Sequence, residues 1–176
     1  MMDIALMTTT PTFSAPVQDS QIRFIRLTEI PTDELVAHMS DPRLRAHMPL
    51  LTFAWDTHVA KSFVEAKEEC WRRDGLGHWA ILCGDRYVGW GGFQLEAGEW
   101  DYGLVLRPDA FGLGARITRR AIDFARASPR IPFVTFLLPP SRRNLAALTR
   151  MGAQYLGDQD YAGARFRKYR LETSAI

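Results

Sequence analysis

The chain has 176 residues, of which 47% are hydrophobic and 24% charged, and a formal net charge of +2. This length and composition are typical of a globular domain that buries its own core. The small net charge argues against nucleic acid or a membrane surface as a partner, and two cysteines, Cys70 and Cys83, exclude a disulfide scaffold.

The N-terminal segment, residues 1–20, is rich in Thr, Pro and Ser, which predicts a flexible tail in front of a single domain over residues 21–173. The tail lacks the basic start and the long apolar run of a secretory signal. No apolar run in the chain reaches the roughly 18–20 residues that a membrane span needs. We therefore expect a cytoplasmic protein that does not bind a membrane.

The first predicted elements are one strand and several helices. Residues Ile22–Leu27 alternate as in a short strand, and Pro31 opens a helix whose first turn is acidic. A turn and a short helical piece follow. A longer helix, capped by Asp56 or Thr57, has one apolar face and ends near Gly75.

Three extended segments come next: His78–Cys83, Tyr87–Leu95 and Glu99–Leu106. Short turns with glycine separate them, which predicts an antiparallel meander. A turn containing two glycines then leads into a helix that runs to about Ala127. Its apolar spacing predicts that four side chains are buried: Ile117, Ala121, Phe124 and Ala125.

The last predicted elements are a strand at Phe133–Leu138, a helix from Ser141 that Gly152 stops, and two strands near Gln154–Leu156 and Arg165–Leu171. The full order is strand, helices, three strands, helix, strand, helix and two strands. This order predicts an α+β domain with three layers, α/β/α, in which helices cover both faces of a mixed sheet.

The segment from Leu104 to Arg116 has the features of an anion-binding turn. A strand ends, Pro108 begins a turn, and Gly112 and Gly114 precede a helix. The first turn of a helix has unpaired N–H groups and the positive end of the helix dipole, and glycine lets a phosphate approach the backbone. A tight turn with close helix packing would explain the same two glycines.

Arginines are concentrated after this turn, with eight between positions 116 and 150. Those nearest the glycines, Arg116, Arg119 and Arg120, are candidate phosphate ligands because a guanidinium group matches a phosphate in charge and geometry. The arginines further along are better interpreted as a solvated surface.

These motifs together resemble the GNAT superfamily of N-acetyltransferases, and most nearly its ribosomal-protein-type N-terminal acetyltransferases. The resemblance covers roughly residues 22–171 and is carried, in order, by DPRLRAHMP, YVGWGGF, WDYGLVLRPDAFGLGA and LTRMGA. It implies a mostly antiparallel GNAT-like sheet and acetyl-CoA as the acyl donor. It also implies transfer of the acetyl group to a primary amine, whether a protein N-terminus, a lysine or a small amine.

The resemblance also assigns the donor site. The backbone of Leu104 and Leu106 would bind the acetyl carbonyl and the pantetheine arm. The pyrophosphate loop and one residue of the last predicted helix complete the predicted site: Phe111, Gly112, Leu113, Gly114, Ala115, Arg116 and Asn144.

Five positions depart from the family pattern. Phe111 stands where this branch often has Trp, and Arg116 stands where a small residue is expected. Ser141 replaces an Asn, Leu148 replaces the Tyr that serves as general acid in several relatives, and Phe136 replaces a catalytic Glu.

Asp101 is the candidate general base, because an alkylammonium must lose a proton before it can attack a thioester. It lies on one face of its strand with Glu99, the second choice. An exposed structural carboxylate would explain the same residue. Ser141 is a candidate weak acid or thiol contact, with an N-cap role as the alternative.

Other functions remain open at the level of sequence. The departures favour, as an alternative, a non-catalytic domain that binds acyl-CoA. The arginines could instead contact RNA, although the small net charge speaks against it. No metal is expected, because the spacing of the four histidines is not that of metal ligands: His38, His47, His58 and His78. The acceptor, and the choice between monomer and homodimer, cannot be read from the sequence.

Overall fold

The computed structural model describes residues 21–142 and 145–174. Within them, seven strands form one sheet: β1 (Ile22–Ile25), β2 (His78–Cys83), β3 (Arg86–Glu96), β4 (Glu99–Leu106), β5 (Phe133–Leu138), β6 (Gln154–Tyr161) and β7 (Ala164–Glu172). Their order is β1-β2-β3-β4-β5-β7-β6, and only β4 and β5 run parallel. The helices are α1 (Thr32–Met39), α2 (Thr57–Asp74), α3 (Gly114–Ala127) and α4 (Ala146–Arg150).

The central meander follows from its turns. Ala97 and Gly98 both have positive φ, 48° and 82°, as a two-residue hairpin between twisted strands requires. Gly84 occupies the corresponding left-handed position between β2 and β3, with φ of 63°. The predicted meander is therefore confirmed, with β3 one residue longer at each end.

Helix α2 has the predicted end signals. The Asp56 side chain accepts a hydrogen bond from the N–H of Val59 at 2.8 Å, which satisfies one free donor of the first turn. Gly75 ends the helix in the left-handed conformation, and its N–H donates to the carbonyl of Trp71. These two caps fix a long helix immediately before β2.

Helices cover both faces of the sheet, as predicted. The front face, defined by Ala80, Trp90 and Val105, packs against α1 and α2. The rear face packs against α3 and α4 through a larger cluster that includes Trp79, Phe93, Tyr102, Phe136, Ala121, Ile122, Ala125 and Leu148. Strands β2, β3 and β4 thus have one row of side chains directed to each helical layer.

Three predictions of local structure are wrong. Helix α4 begins at Ala146 and not at Ser141, because the carbonyl of Pro139 accepts from the N–H of Arg142 and closes a turn first. In α3, Phe124 is exposed although the sequence predicts that it is buried, and Ile122 is buried instead. The last two strands extend to a hairpin at Ala162, beyond their apolar segments, because strand pairing needs no apolar side chains.

The predicted tail, residues 1–20, lies outside the described residues. Among the helices that are described, none has the length and hydropathy needed to cross a bilayer.

Candidate active site

The sheet opens between β4 and β5. These parallel strands are paired at a single position, Asp101 with Thr135, and beyond it they separate. Leu104 and Leu106 lie on β4 past this point. Because β5 no longer pairs with this part of β4, a gap remains between the strands, and its apex is at Asp101.

The backbone of Leu104 and Leu106 is directed into this gap. The N–H of Arg107 donates to the carbonyl of Val88 on β3, and the carbonyls of Gly103 and Val105 also lie against β3. In an antiparallel ladder alternate residues direct their polar groups to the same neighbour. The polar groups of the two leucines therefore point to the opposite side, where an extended ligand of the kind that the resemblance implies could pair with them.

The predicted phosphate loop follows β4. A short 3-10 segment, Pro108–Leu113, leads directly into α3, and the N-cap residue of α3, Leu113, makes no side-chain hydrogen bond to the first turn. Ala115 and the ring of Phe111 are exposed. The N–H of Gly114 donates to the carbonyl of Phe111, and the positive end of the helix dipole at the N-terminus of α3 favours an anion there.

Neither glycine of this loop is required by the fold. Gly114 has φ of −54°, and the φ of Gly112 also lies outside the left-handed region. A Cβ on Gly114 would meet only the Cδ1 of Leu106 at 3.6 Å, and one on Gly112 would meet nothing within 4 Å. The tight-turn explanation therefore fails, whereas approach of a ligand to the backbone explains both residues.

The three arginines near the loop do not act together. Arg116 lies half-buried in the first turn of α3, and Arg119 is exposed. Arg120, however, donates from its guanidinium group to the carbonyl of Ile22 at 2.5 Å and lies over the ring of Phe24. Its predicted role as a phosphate ligand is corrected: it ties α3 to the edge strand β1.

Asp101 lies at the apex of the gap, half-buried on the front face of β4. Thr135 donates a hydrogen bond to its carboxylate at 3.1 Å. Burial is the main cause that raises the pKa of Asp101 to about 6, and the negative charges of Glu96 and Glu99 raise it further. The hydrogen bond from Thr135 and the positive charge of Lys168 act in the opposite direction. Such a carboxylate can both accept and release a proton near neutral pH.

The second choice, Glu99, is less suited to proton transfer. The ammonium group of Lys168 donates to its carboxylate at 2.5 Å, which holds it as an ion pair. The two carboxylates thus differ in environment although they share a strand face. On this face of β4, Glu99 is therefore held in an ion pair, whereas Asp101 forms no ion pair with any described residue.

A polar chain that the sequence analysis did not identify borders Asp101. Lys67 of α2 donates to the amide oxygen of Gln94 at 2.7 Å, and Gln94 in turn donates to Glu96. Burial lowers the pKa of Lys67. The sequence does contain a signal for this chain of polar residues: Lys67 lies four residues after Phe63 and therefore on the apolar side of α2.

Tyr161 at the end of β6 also belongs to this neighbourhood. The charge of Glu96, followed by burial and the charge of Asp101, raises the pKa of its phenol. The sequence prediction missed it because the strand was expected to end at Leu156. A tyrosine is therefore present near the candidate base, although not at the position that the family pattern uses.

The remaining predicted residues contribute unequally. Phe136 and Leu148 are buried in the rear core and offer no polar chemistry. Ser141 is exposed and lines an open cavity of about 370 Å³, together with Arg45 and Arg165. Asn144 lies outside the described residues. No group of histidines, cysteines or carboxylates in the described parts of the chain is arranged to hold a metal ion.

No protein-family model matches this sequence, and no curated protein sequence is significantly similar to it. Solved structures do match. An acetyltransferase from Agrobacterium tumefaciens strain C58 aligns with a TM-score of 0.69 at 17% identity, over 94% of this chain and 99% of that one. The chain has the fold of the GNAT acetyltransferases.

Two other GNAT-fold structures were determined with ligands. RimL, a ribosomal L7/L12 α-N-protein acetyltransferase in complex with coenzyme A, aligns with a TM-score of 0.69 at 14% identity, over 89% of this chain and 96% of that one. Spermidine N-acetyltransferase from Vibrio cholerae, in complex with CoA and spermine, aligns with the same TM-score at 7% identity, over 88% and 96%. At these identities the similarity concerns the GNAT fold, and the chemistry must be argued from the site.

Proposed function

We propose that this protein is an N-acetyltransferase that moves the acetyl group of acetyl-CoA to a primary amine by direct attack. One observation carries the proposal: Asp101, a carboxylate with a pKa near 6, lies at the apex of the gap between β4 and β5. The candidate base, Asp101, therefore lies on the same strand, β4, whose backbone can pair with an extended thioester.

The donor would bind from the gap to the helix. Its pantetheine amides would pair with the backbone of Leu104 and Leu106, and its pyrophosphate would lie over the segment Phe111–Arg116. The uncapped first turn of α3 and the two glycines that the fold does not require support this position. Asn144 is a further candidate for contact with the donor.

The chemistry needs one proton acceptor. An alkylammonium, with a pKa of about 10, gives a proton to Asp101, and the resulting amine attacks the thioester carbonyl. The carbon–sulfur bond then breaks. The leaving thiolate resembles that of cysteine, with a pKa of about 8.5, and can depart without a dedicated acid. The absence of a tyrosine at position 148 is therefore compatible with turnover.

The alternative, a domain that only binds acyl-CoA, does not explain the environment of Asp101. A carboxylate that is held partly buried and partly protonated destabilises the folded protein, and such groups are concentrated at catalytic sites. The GNAT-fold neighbours include enzymes that act on a protein N-terminus and on a small amine. We infer the same broad acceptor class here.

The first prediction tests donor binding and catalysis separately. Acetyl-CoA should raise the melting temperature, because a ligand about a hundredfold above its dissociation constant stabilises the folded state by about 2.7 kcal/mol. Release of CoA thiol over a panel of peptides, lysine derivatives and small amines then measures turnover. A melting temperature that does not respond to acetyl-CoA, other acyl-CoAs or CoA would sink the proposal. Binding without thiol release would favour the non-catalytic alternative.

A further inference from the structure

His78 lies on the front face of the sheet and has no role in the reaction proposed above. His78 on β2 is paired with Gly92 on β3, and Gly92 is paired with Gly103 on β4. These three residues form one row across the sheet. Because the two glycines have no side chains, the imidazole of His78 can lie over the row and reach β4.

The ring of His78 does reach β4. A Cβ built on Gly103 would lie 3.8 Å from Nε2 and 3.9 Å from Cε1 of the imidazole. The ring also packs on Trp90, with centroids 5.4 Å apart, and the residue is 7% exposed. Its position is therefore fixed by packing, with one edge directed at Gly103.

The nitrogen atoms of this imidazole have no hydrogen-bond partner among the described residues. Nδ1 is buried and makes no hydrogen bond with any described residue, and no bond of Nε2 is found there either. Burial, with a smaller contribution from the charge of Lys67, lowers the pKa of His78 well below its ordinary value. The ring is thus neutral at physiological pH. In the tautomer that carries its proton on Nδ1, which the proposal requires, the lone pair of Nε2 is directed toward Gly103.

Asp101 lies beside this point. Residues two apart on a strand are on the same face and about 7 Å apart. The carboxylate of Asp101 and the Nε2 of His78 therefore border the space over Gly103, where no side chain stands. The buried atom without a partner is Nδ1, whereas Nε2 faces Gly103 and is the atom that a ligand over this glycine would meet. The geometry indicates a site for a hydrogen-bond donor between the two groups.

We propose that His78 and Asp101 together hold the amino nitrogen of the acceptor over Gly103. This inference rests on the proposed N-acetyltransferase function and names the residue that orients the nucleophile. After the ammonium has lost one proton through Asp101, its two remaining N–H bonds are directed to Nε2 and to the carboxylate. The lone pair then faces the thioester carbon in the gap.

The electrons and protons balance along this path. The nitrogen lone pair forms the C–N bond, and the carbon–sulfur bond breaks with its electron pair on sulfur. The amide nitrogen keeps one hydrogen and loses the other to Asp101, which releases it to solvent. The acceptor must be a primary amine, because a secondary amine has one N–H left after deprotonation and cannot satisfy both groups.

Gly103→Ala is the sharpest test. The added methyl group would contact the imidazole at an ordinary distance, so the variant should fold, and it should bind acetyl-CoA as the wild type does. The methyl would fill the space over Gly103 through which the amino nitrogen approaches Nε2. We expect kcat/KM for ethylamine to fall about 100-fold or more, the loss typical of a misplaced reacting group. Full activity of this variant would overturn the proposal.

His78 is tested directly with two variants and a control. His78→Phe keeps the packing on Trp90 but removes both nitrogens, and we expect a loss of about 10- to 100-fold in kcat/KM with unchanged acetyl-CoA binding. His78→Gln, which can return an acceptor oxygen near Nε2, should recover part of the loss. His58→Phe, on the exposed side of α2, should match the wild type.

A spectroscopic measurement keeps the inference testable even if no amine is turned over. In protein labelled with ¹⁵N at histidine and saturated with CoA, ethylamine should shift the Nε2 resonance of His78 in the wild type and not in Gly103→Ala. No shift, or an equal shift in both, would contradict the proposal. The proposal would also be contradicted if His78→Phe melted at a lower temperature than the wild type and this unfolding accounted for its loss of activity. Failure of the proposed function itself would be seen earlier, as no response to acetyl-CoA.

Discussion

Asp101 illustrates how a side chain acquires its chemistry from residues far away in sequence. Strand alternation places it on the same face as Glu99, and the sequence is sufficient for that step. Its environment, however, comes from Thr135 on β5 and from Glu96 and Lys168. One carboxylate is held in an ion pair while the other has a raised pKa. The difference depends on strand order, which local sequence does not encode.

Replacing Asp101 by Asn should lower turnover roughly 10²- to 10⁴-fold, the usual contribution of a general base. Wild-type activity should rise as the pH passes about 6, where Asp101 becomes the carboxylate, and the variant should lack this step. Steady-state kinetics from pH 5 to 9 would measure both. Glu99→Gln is the matched control and should keep near-normal turnover. Normal turnover in Asp101→Asn would remove the carboxylate from the mechanism.

At the scale of the element, α3 begins at the site where a phosphate is expected. Its N-terminus lacks a side-chain cap, and its first residue is a glycine with ordinary helical φ. The positive end of the helix dipole is therefore directed at the position expected for the phosphate. The identity of residue 114 should matter for the ligand much more than for the fold.

Gly114→Val tests this separation. A Cβ at position 114 meets only Leu106 at an ordinary distance, so the variant should fold, but the branched side chain would block the approach of phosphate to the helix. The stabilisation by acetyl-CoA should be lost. Ala127→Val places the same side chain at the exposed C-terminal end of α3 and should leave the response intact. A variant at 114 that binds CoA normally would locate the phosphates elsewhere.

The elements differ in how far the sequence determines them. Helix α2 and the meander β2–β4 are specified by local signals, such as the Asp56 cap and the turn at Ala97 and Gly98, and were predicted with correct boundaries to within one residue. Helix α4 begins late because a turn after Pro139 competes with it. The row that places His78 over Gly103 depends on the register of three strands, which no single segment encodes.

At the scale of the whole molecule, the raised pKa of Asp101 couples the site to stability. The folded state binds a proton at this residue more tightly than the unfolded state does. Stability is therefore lost as the pH rises from about 4 to about 6, by up to about 3 kcal/mol. His38, whose pKa burial lowers to about 4, acts in the opposite direction over the same range.

Asp101→Asn removes one of these two opposing contributions and should be more stable than the wild type at pH 7, although less active. The gain should shrink as the pH falls toward 4, because the wild-type carboxyl becomes neutral there. Urea unfolding at several pH values would measure the difference between the two proteins, in which the contribution of His38 cancels. A variant that is less stable at pH 7 would show that the carboxylate supports the fold.

The single pairing between β4 and β5 has a consequence for the integrity of the molecule. The sheet consists of two half-sheets, β1–β4 and β5–β7–β6, that are joined where β4 pairs with β5, at Asp101 and Thr135. An acyl-CoA lying beside Leu104 and Leu106 would supply the hydrogen-bonding edge that β5 does not. The donor would then behave as a temporary eighth strand, whose arrival closes the sheet and whose departure as free CoA opens it again in every catalytic cycle.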